Sequence, residues 1–251
     1  MFLVVKKKVV CLIGVILLVI IVGSVAVGMS SKAIETANKR LIPIYSVDNL
    51  EDKVALTFDA AWGSDKTRKI MDLLEANGYK GTFFLTGFWI DENEELTKEI
   101  FSRGHLIGNH SENHKHLSEV KKEELKEEID GVSTKIERLT GQTTKYFRAP
   151  FGEYDNRLIS TLNERSTYCI QWSIDSLDWK GISGKEISDR VVSRVKSGDI
   201  ILFHNNSDHV LDALPLIILA LKNKKLEAVR VDELIYKDNY YIDNIGKQIR
   251  N

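Results

Sequence analysis

The stretch Val54-Ala55-Leu56-Thr57-Phe58-Asp59 shows the pattern on which the whole fold depends. A short run typical of a buried β-strand ends directly in a carboxylate. Similar apolar runs follow along the chain, and amphipathic helical patterns separate most of them. The further strand candidates are Thr82–Leu85, Leu106–Gly108, Tyr146–Arg148, Tyr168–Trp172, Ile200–Phe203 and Leu226–Val229. Strands that alternate with helices predict an α/β fold with parallel strands.

Polar residues follow the predicted strands at equivalent positions. A doubly wound sheet and a closed barrel both satisfy the pattern, and in both the ligand chemistry lies at the carboxyl ends of the strands. Any one of these polar residues could be an ordinary solvated loop residue, but five successive strand ends predict a shared site. The residues are Asp59, Asn109 with His110, Arg148, Asp175 with Asp178, and His204.

Two histidines four residues apart, His110 and His114, suit chelation of a divalent metal. The zinc-protease motif His-Glu-x-x-His does not apply, because Ser111 stands where that motif needs its glutamate. We expect the pair at a strand-to-loop exit rather than inside a helix. His105 and His116 have no obvious partner in the sequence, and we expect them to face solvent or pack locally.

Five short motifs follow one another along the chain: Thr57-Phe58-Asp59, His110-x-x-x-His114, Arg148-Ala149-Pro150-Phe151-Gly152, Asp175-x-x-Asp178-Trp179 and Leu202-x-His204. Their sequences and order resemble those of the polysaccharide deacetylases, carbohydrate esterase family 4 with its NodB homology domain. The resemblance covers about residues 51–236. It implies a deformed (β/α) barrel with about seven parallel strands. It also implies a hydrolase that removes N-acetyl groups from a cell-wall polysaccharide, in the first place peptidoglycan.

The resemblance also implies a role for each matching residue. His110 and His114 would bind the metal, most often zinc in this family. Asp59 would be the general base and His204 the general acid. The other residues would support these groups: Arg148 orients Asp59, Asp178 positions His204, and Trp179, Phe151 and Leu202 shape the sugar groove.

One position departs from the family pattern. The third metal ligand of the family is an aspartate directly after Asp59, and here Ala60 occupies that position. Because catalytic zinc normally has three protein ligands, two histidines predict weak binding. Asp65 or Glu112 could replace the missing ligand, although Asp65 also fits the first turn of a helix.

Two other functions remain open at this stage. Loss of the third ligand favours a catalytically silent carbohydrate-binding protein. A metal-dependent esterase or amidase that acts on a small molecule is a further alternative.

The N-terminal segment 9–29 carries no charged residue and follows Lys6, Lys7 and Lys8. At about 1.5 Å per residue, a helix of this length would cross a membrane. A cleaved signal peptide is the alternative, and either places the following domain on the extracellular face of the cell membrane. The predicted layout is a cytoplasmic tail 1–8, a single-pass anchor 9–29, a linker 30–50, the deacetylase domain 51–238 and a C-terminal tail 239–251.

Composition excludes several classes of protein. The net charge of −1 leaves no basic surface for nucleic acid, and 43% hydrophobic residues exclude a disordered chain. Cys11 lies in the apolar segment and Cys169 in a predicted strand, so we expect no disulfide between them. The sequence leaves the oligomeric state open.

Overall fold

The computed structural model describes residues 40–48 and 51–251. Strands and helices alternate through most of this part of the chain. The strands are β1 Ser46–Val47, β2 Lys53–Ala60, β3 Thr82–Leu85, β4 Leu106–Asn109, β5 Tyr146–Phe147, β6 Tyr168–Cys169, β7 Ile174–Asp175, β8 Ile200–His204, β9 Glu227–Val229, β10 Tyr240–Ile242 and β11 Lys247–Arg250. The α-helices are α1 Thr67–Glu75, α2 Gly87–Glu92, α3 Glu94–Ser102, α4 Lys122–Thr140, α5 Asn156–Asn163, α6 Gly184–Val192, α7 Val210–Asn223 and α8 Val231–Leu234.

The central sheet has the order β6-β5-β4-β3-β2-β8-β7, and β9 also pairs with the first residues of β2. Every pairing in this sheet is parallel. The architecture is therefore a parallel-strand (β/α) half-barrel. All seven predicted strands are present, and the eighth strand of the sheet, β7, is an addition to the prediction.

The segment between β6 and β7 differs from the alternating pattern, because no helix separates these two strands. The backbone N–H of Gln171 donates to the carbonyl oxygen of Ile44 (2.7 Å), and that of Ser173 donates to the carbonyl oxygen of Ile200 (3.0 Å). The chain thus leaves β6 after two residues and pairs with β8 instead. Asp175 consequently ends its own strand, β7, rather than following β6.

Strand β2 has two different faces. Val54, Leu56 and Phe58 belong to the main apolar cluster together with residues of the flanking helices, and the Phe58 ring stacks on those of Phe83 and Phe203 at centroid distances of 5.0 and 5.6 Å. Ala55 packs in a second cluster. Because side chains alternate along a strand, Asp59 projects on the same side as Ala55. This alternation directs the carboxylate away from the helix layer.

A small second sheet joins both ends of the described chain. β1 pairs in parallel with β11, and β11 pairs antiparallel with β10. The compact unit runs from Leu41 to Asn251, so residues 41–48 of the predicted linker and the predicted C-terminal tail form part of it. The predicted anchor 9–29 lies outside the described residues. Within 40–48 and 51–251, no helix has the length and apolar character that a membrane crossing requires.

Candidate active site

Asp59 and Arg148 form a buried ion pair at the ends of β2 and β5. Arg148 Nη1 donates to Asp59 Oδ1 at 2.7 Å, and the guanidinium group also donates to the carbonyl oxygens of Ile170 and Gln171. Its carbon atom Cζ lies 4.2 Å from the centre of the Phe84 ring. Burial by itself would raise the pKa of Asp59, but the positive charge of Arg148, its hydrogen bond and the charge of His204 lower that pKa below its ordinary value. Asp59 is therefore ionised and fixed in position.

The two histidines of the predicted metal site lie on a loop that helix α4 holds in place. Asn109, at the end of β4, donates to the carbonyl oxygen of Ile129 (2.7 Å) and accepts from the backbone N–H of Ser111 (2.9 Å). The buried carboxylate of Glu128 accepts two hydrogen bonds of 2.8 Å from Asn113. His114 has a left-handed backbone conformation with φ of 53°. The loop brings the two imidazole rings to a centroid distance of 5.0 Å.

Both imidazoles are neutral near pH 7. Burial lowers the pKa of His110, and burial lowers the pKa of His114 to about 4. His110 Nδ1–H donates to the carbonyl oxygen of Arg148 (2.8 Å), which leaves Nε2 with a lone pair. The Nε2 atom lies 3.5 Å from Asp59 Oδ2. Neither atom carries a hydrogen, so the two acceptors repel each other. A divalent cation nearby would offset this repulsion, and the two neutral imidazoles of His110 and His114 would supply its nitrogen ligands.

A third protein ligand from either predicted substitute is not supported by the structure. Among the described residues, no group of three histidine, cysteine or acidic side chains has the geometry of a metal site. Ala60 is fully buried in the main apolar cluster. The carboxylate of Glu112 is ion-paired with Lys135, and the Asp65 side chain is exposed beside Lys66. The carboxylate that lies next to the histidines is Asp59.

His204 and Asp178 form the second pair of the site. His204 Nδ1–H donates to Asp178 Oδ1 at 2.8 Å, and the backbone N–H of His204 donates to Asp178 Oδ2 at 2.8 Å. Burial lowers the pKa of His204, but the hydrogen bond to Asp178 and its charge outweigh that effect and raise the pKa above its ordinary value. The imidazole is thus held in one orientation, with Nε2 left to exchange a proton.

A cleft of about 710 Å³ lies above these groups. Each predicted sugar-binding residue lines it: Leu202 is buried at its wall, while Phe151 and Trp179 are 53% and 57% exposed. The structure also places Trp62 there, 60% exposed, which the sequence analysis did not assign. Its position directly after the Asp59 motif was the available signal. Other lining residues include Asp59, His110, His114, Trp172, Asp175, Asp178 and His204.

Three other predicted side chains lie away from the reacting groups. His105 is buried, with Nδ1 accepting from the backbone N–H of Gly81 (3.0 Å) and Nε2–H donating to Glu75 (3.0 Å), so it packs locally, which is one of the two expected outcomes. His116 pairs with Glu153 at 2.9 Å and stacks on Phe151. Cys169 is buried, and burial raises the pKa of its thiol to about 12. Cys169 therefore has a packing role and does not act as a nucleophile.

Comparison with known proteins decides the family. A family model described as polysaccharide deacetylase matches residues 46–168. A peptidoglycan-N-acetylglucosamine deacetylase of Bacillus cereus is 32% identical over 76% of this chain and 92% of its own length. This chain belongs to the polysaccharide deacetylase family. Alignments with two other curated relatives cover 60% and 64% of their lengths, so this deacetylase homologue spans less than two thirds of those proteins.

Solved structures of the polysaccharide deacetylase family share the fold. The structure of Bc1960, a peptidoglycan N-acetylglucosamine deacetylase, has 32% identity and a TM-score of 0.75, covering 77% of this chain and 92% of that one. The structure of BA3943 from Bacillus anthracis, described as a pseudoenzyme of the same CE4 family, has 27% identity and a TM-score of 0.74. That match covers 83% of this chain and 70% of the other. Proteins of this family are metal-dependent in general.

Proposed function

We propose that this protein is a hydrolase that removes N-acetyl groups from N-acetylated sugars of peptidoglycan. The observation that carries the proposal is the pairing of opposite charges in one cleft: an ionised Asp59 held by Arg148, and a His204 of raised pKa held by Asp178. A base and an acid fixed at one site are what amide hydrolysis needs. The relatives that are named peptidoglycan deacetylases support the choice of substrate.

Asp59 takes the proton of the attacking water. Arg148 keeps the carboxylate ionised and fixes its orientation, because the guanidinium is itself fixed by the carbonyl oxygens of Ile170 and Gln171. His204 then delivers a proton to the leaving nitrogen, which departs poorly as an anion. The raised pKa favours the protonated form of His204 that this task requires.

We propose that His110 and His114 hold a divalent cation, zinc in the first place, and that it binds weakly because Ala60 supplies no ligand. Such an ion polarises the acetamide carbonyl and lowers the pKa of water. Phe151, Trp179 and Leu202, which line the cleft, would contact the sugar.

We also propose that segment 9–29 anchors the protein in the cell membrane with the hydrolase on the extracellular face. Protease added to intact cells would then digest residues 41–251, whereas full protection until lysis would reject that orientation.

Acetate release from purified peptidoglycan by the full chain, with and without added Zn²⁺ or Co²⁺, tests the function. We expect release that rises with the metal. The second candidate is a catalytically silent carbohydrate-binding protein, which the methyl group at Ala60 and the pseudoenzyme description of BA3943 favour. Binding of peptidoglycan without acetate release at any metal concentration would establish that candidate instead.

A further inference from the structure

We propose that Trp62 is an aromatic platform that stacks on a sugar ring beside the one that reacts, so that the site prefers a polymer to a single sugar. This inference rests on the proposed substrate class and adds a subsite to it. The residue follows β2 and lies in the turn 61–64, next to the reacting groups.

The turn that carries Trp62 is held firmly. The carbonyl oxygen of Gly63 accepts one hydrogen bond from Trp89 Nε1 (2.7 Å) and another from Asn205 Nδ2 (2.8 Å). Trp89 and Asn205 are themselves fully buried. Gly63 has φ of 62°, a conformation that favours glycine, and a Cβ there would lie 3.2 Å from Asn206 Cβ. The backbone beside Trp62 is therefore fixed from inside the protein.

The indole nevertheless leaves much of its surface in water. Trp62 is 60% exposed, although it contacts the ring of Phe88 at 6.1 Å and the edge of His114 at 5.1 Å. Burial of an indole on a ligand stabilises the complex, because apolar surface leaves water. An exposed indole on a fixed backbone at the edge of a cleft can therefore stack on the flat face of a ligand ring.

The position of Trp62 identifies that partner. Trp62 and Phe151 both contact His114, at centroid distances of 5.1 and 4.6 Å, and so extend the aromatic surface beyond the predicted metal ligands. Trp179 stands next to Asp178, which holds His204, and so belongs to the acid's part of the cleft. A chain of N-acetylated hexosamines presents the apolar C–H face of each ring in turn. One ring at the reacting groups and its neighbour on Trp62 would use this surface.

The test measures binding and turnover separately on the full-length protein. Dissociation constants for the hexamer of N-acetylglucosamine and for the single sugar are measured by calorimetry, and KM and kcat are measured by acetate release. We expect Trp62→Ala to weaken hexamer binding about tenfold, which corresponds to about 1.4 kcal/mol, with no effect on the single sugar. Trp62→Phe retains most of the affinity. Tyr241→Ala removes an aromatic ring that is 50% exposed outside the cleft and serves as the matched control.

The outcomes separate this inference from the proposed function. Hexamer binding that depends on Trp62, without acetate release from peptidoglycan, keeps the platform and rejects the hydrolase. Acetate release with the same hexamer affinity in parent and Trp62→Ala rejects the platform and keeps the hydrolase. Failure of the parent to bind the hexamer, or equal weakening for hexamer and single sugar, also overturns the subsite. If the single sugar binds too weakly to measure, the hexamer result decides alone.

Discussion

Asp59 carries a negative charge at a position that water hardly reaches, and Arg148 is what makes this charge stable. Asp59→Asn keeps the size of the side chain and an oxygen that accepts from Arg148, but it removes the basic group. We expect acetate release to fall by about 10²–10⁴-fold, the usual contribution of a general base, with the far-ultraviolet circular dichroism unchanged. Asp65→Asn makes the same exchange on an exposed side chain outside the cleft and should keep full activity. Near-full turnover of Asp59→Asn would show that another group accepts the proton.

His204 depends on Asp178 for its high pKa, which leads to a prediction about pH. A general acid works below its pKa, so the alkaline limb of the pH–rate profile follows His204. Asp178→Asn removes the charged acceptor, and the remaining burial lowers the pKa of His204. The alkaline limb should therefore move to lower pH, measured as kcat/KM against pH.

A second histidine–aspartate pair provides the control for that measurement. His209 and Asp212 are 3.1 Å apart on the surface. Asp212→Asn should leave the profile in place. An unchanged alkaline limb in Asp178→Asn would assign it to a group other than His204.

At the scale of secondary-structure elements, the half-barrel extends beyond its sequence motifs through the small sheet of β1, β10 and β11. Gln248 of β11 is fully buried, and its side chain accepts from the backbone N–H of Tyr236 (2.8 Å) and donates to the carbonyl oxygen of the same residue (2.7 Å). This pair of hydrogen bonds ties the C-terminal hairpin to the segment after α8. An amide group is required there, since it must donate and accept at once.

Gln248→Leu should lower the free energy of unfolding. The substitution leaves both backbone groups of Tyr236 without their partner, which costs about 1–3 kcal/mol for each group that stays buried. Urea denaturation measures the loss. Ile245→Ser changes a residue that is exposed in the same hairpin, and its effect should stay within about 0.5 kcal/mol. Equal stability of Gln248→Leu and the parent would mean that the hairpin contributes little to the fold.

At the scale of the whole molecule, Ala60 affects both metal binding and core packing, because it occupies the family's third ligand position and packs in the main apolar cluster. The family pattern has an aspartate ligand at this position, so we expect calorimetric titration of Zn²⁺ to show tighter binding in Ala60→Asp than in the parent. Because the methyl group packs in the main apolar cluster, the same carboxylate should destabilise the metal-free protein by about 2 kcal/mol or more. The substitution should therefore make stability depend on metal.

His110→Ala is the control for the metal site. We expect it to abolish the weak binding of the parent, since one imidazole would remain. Parental binding that survives His110→Ala would place the metal elsewhere. Unchanged affinity in Ala60→Asp would show that a carboxylate at this position cannot reach the histidines.

The sequence by itself determined which residues meet at the site. Asp59, Arg148 and His204 each end a short apolar run, and parallel strands bring their carboxyl ends to one edge whatever the loops between them do. The short apolar runs also predicted seven strands, and the structure contains all seven. The prediction missed β7, because Ile174 follows the predicted strand Tyr168–Trp172 almost directly, with no helical pattern between them to mark a new strand.

Only the tertiary structure decided which side chains neighbour each other around that edge. Glu112 lies inside the histidine motif, yet its carboxylate pairs with Lys135 of α4, while Asp59 lies beside His110. Ile44 lies in the segment that the sequence predicts as a polar linker, yet it forms an isolated parallel β-bridge with Ile170. Trp62 looks like any aromatic residue after a strand, and its exposure follows from the turn that Trp89 and Asn205 hold. These features depend on contacts between residues far apart in the chain, and a local pattern contains no information about such contacts.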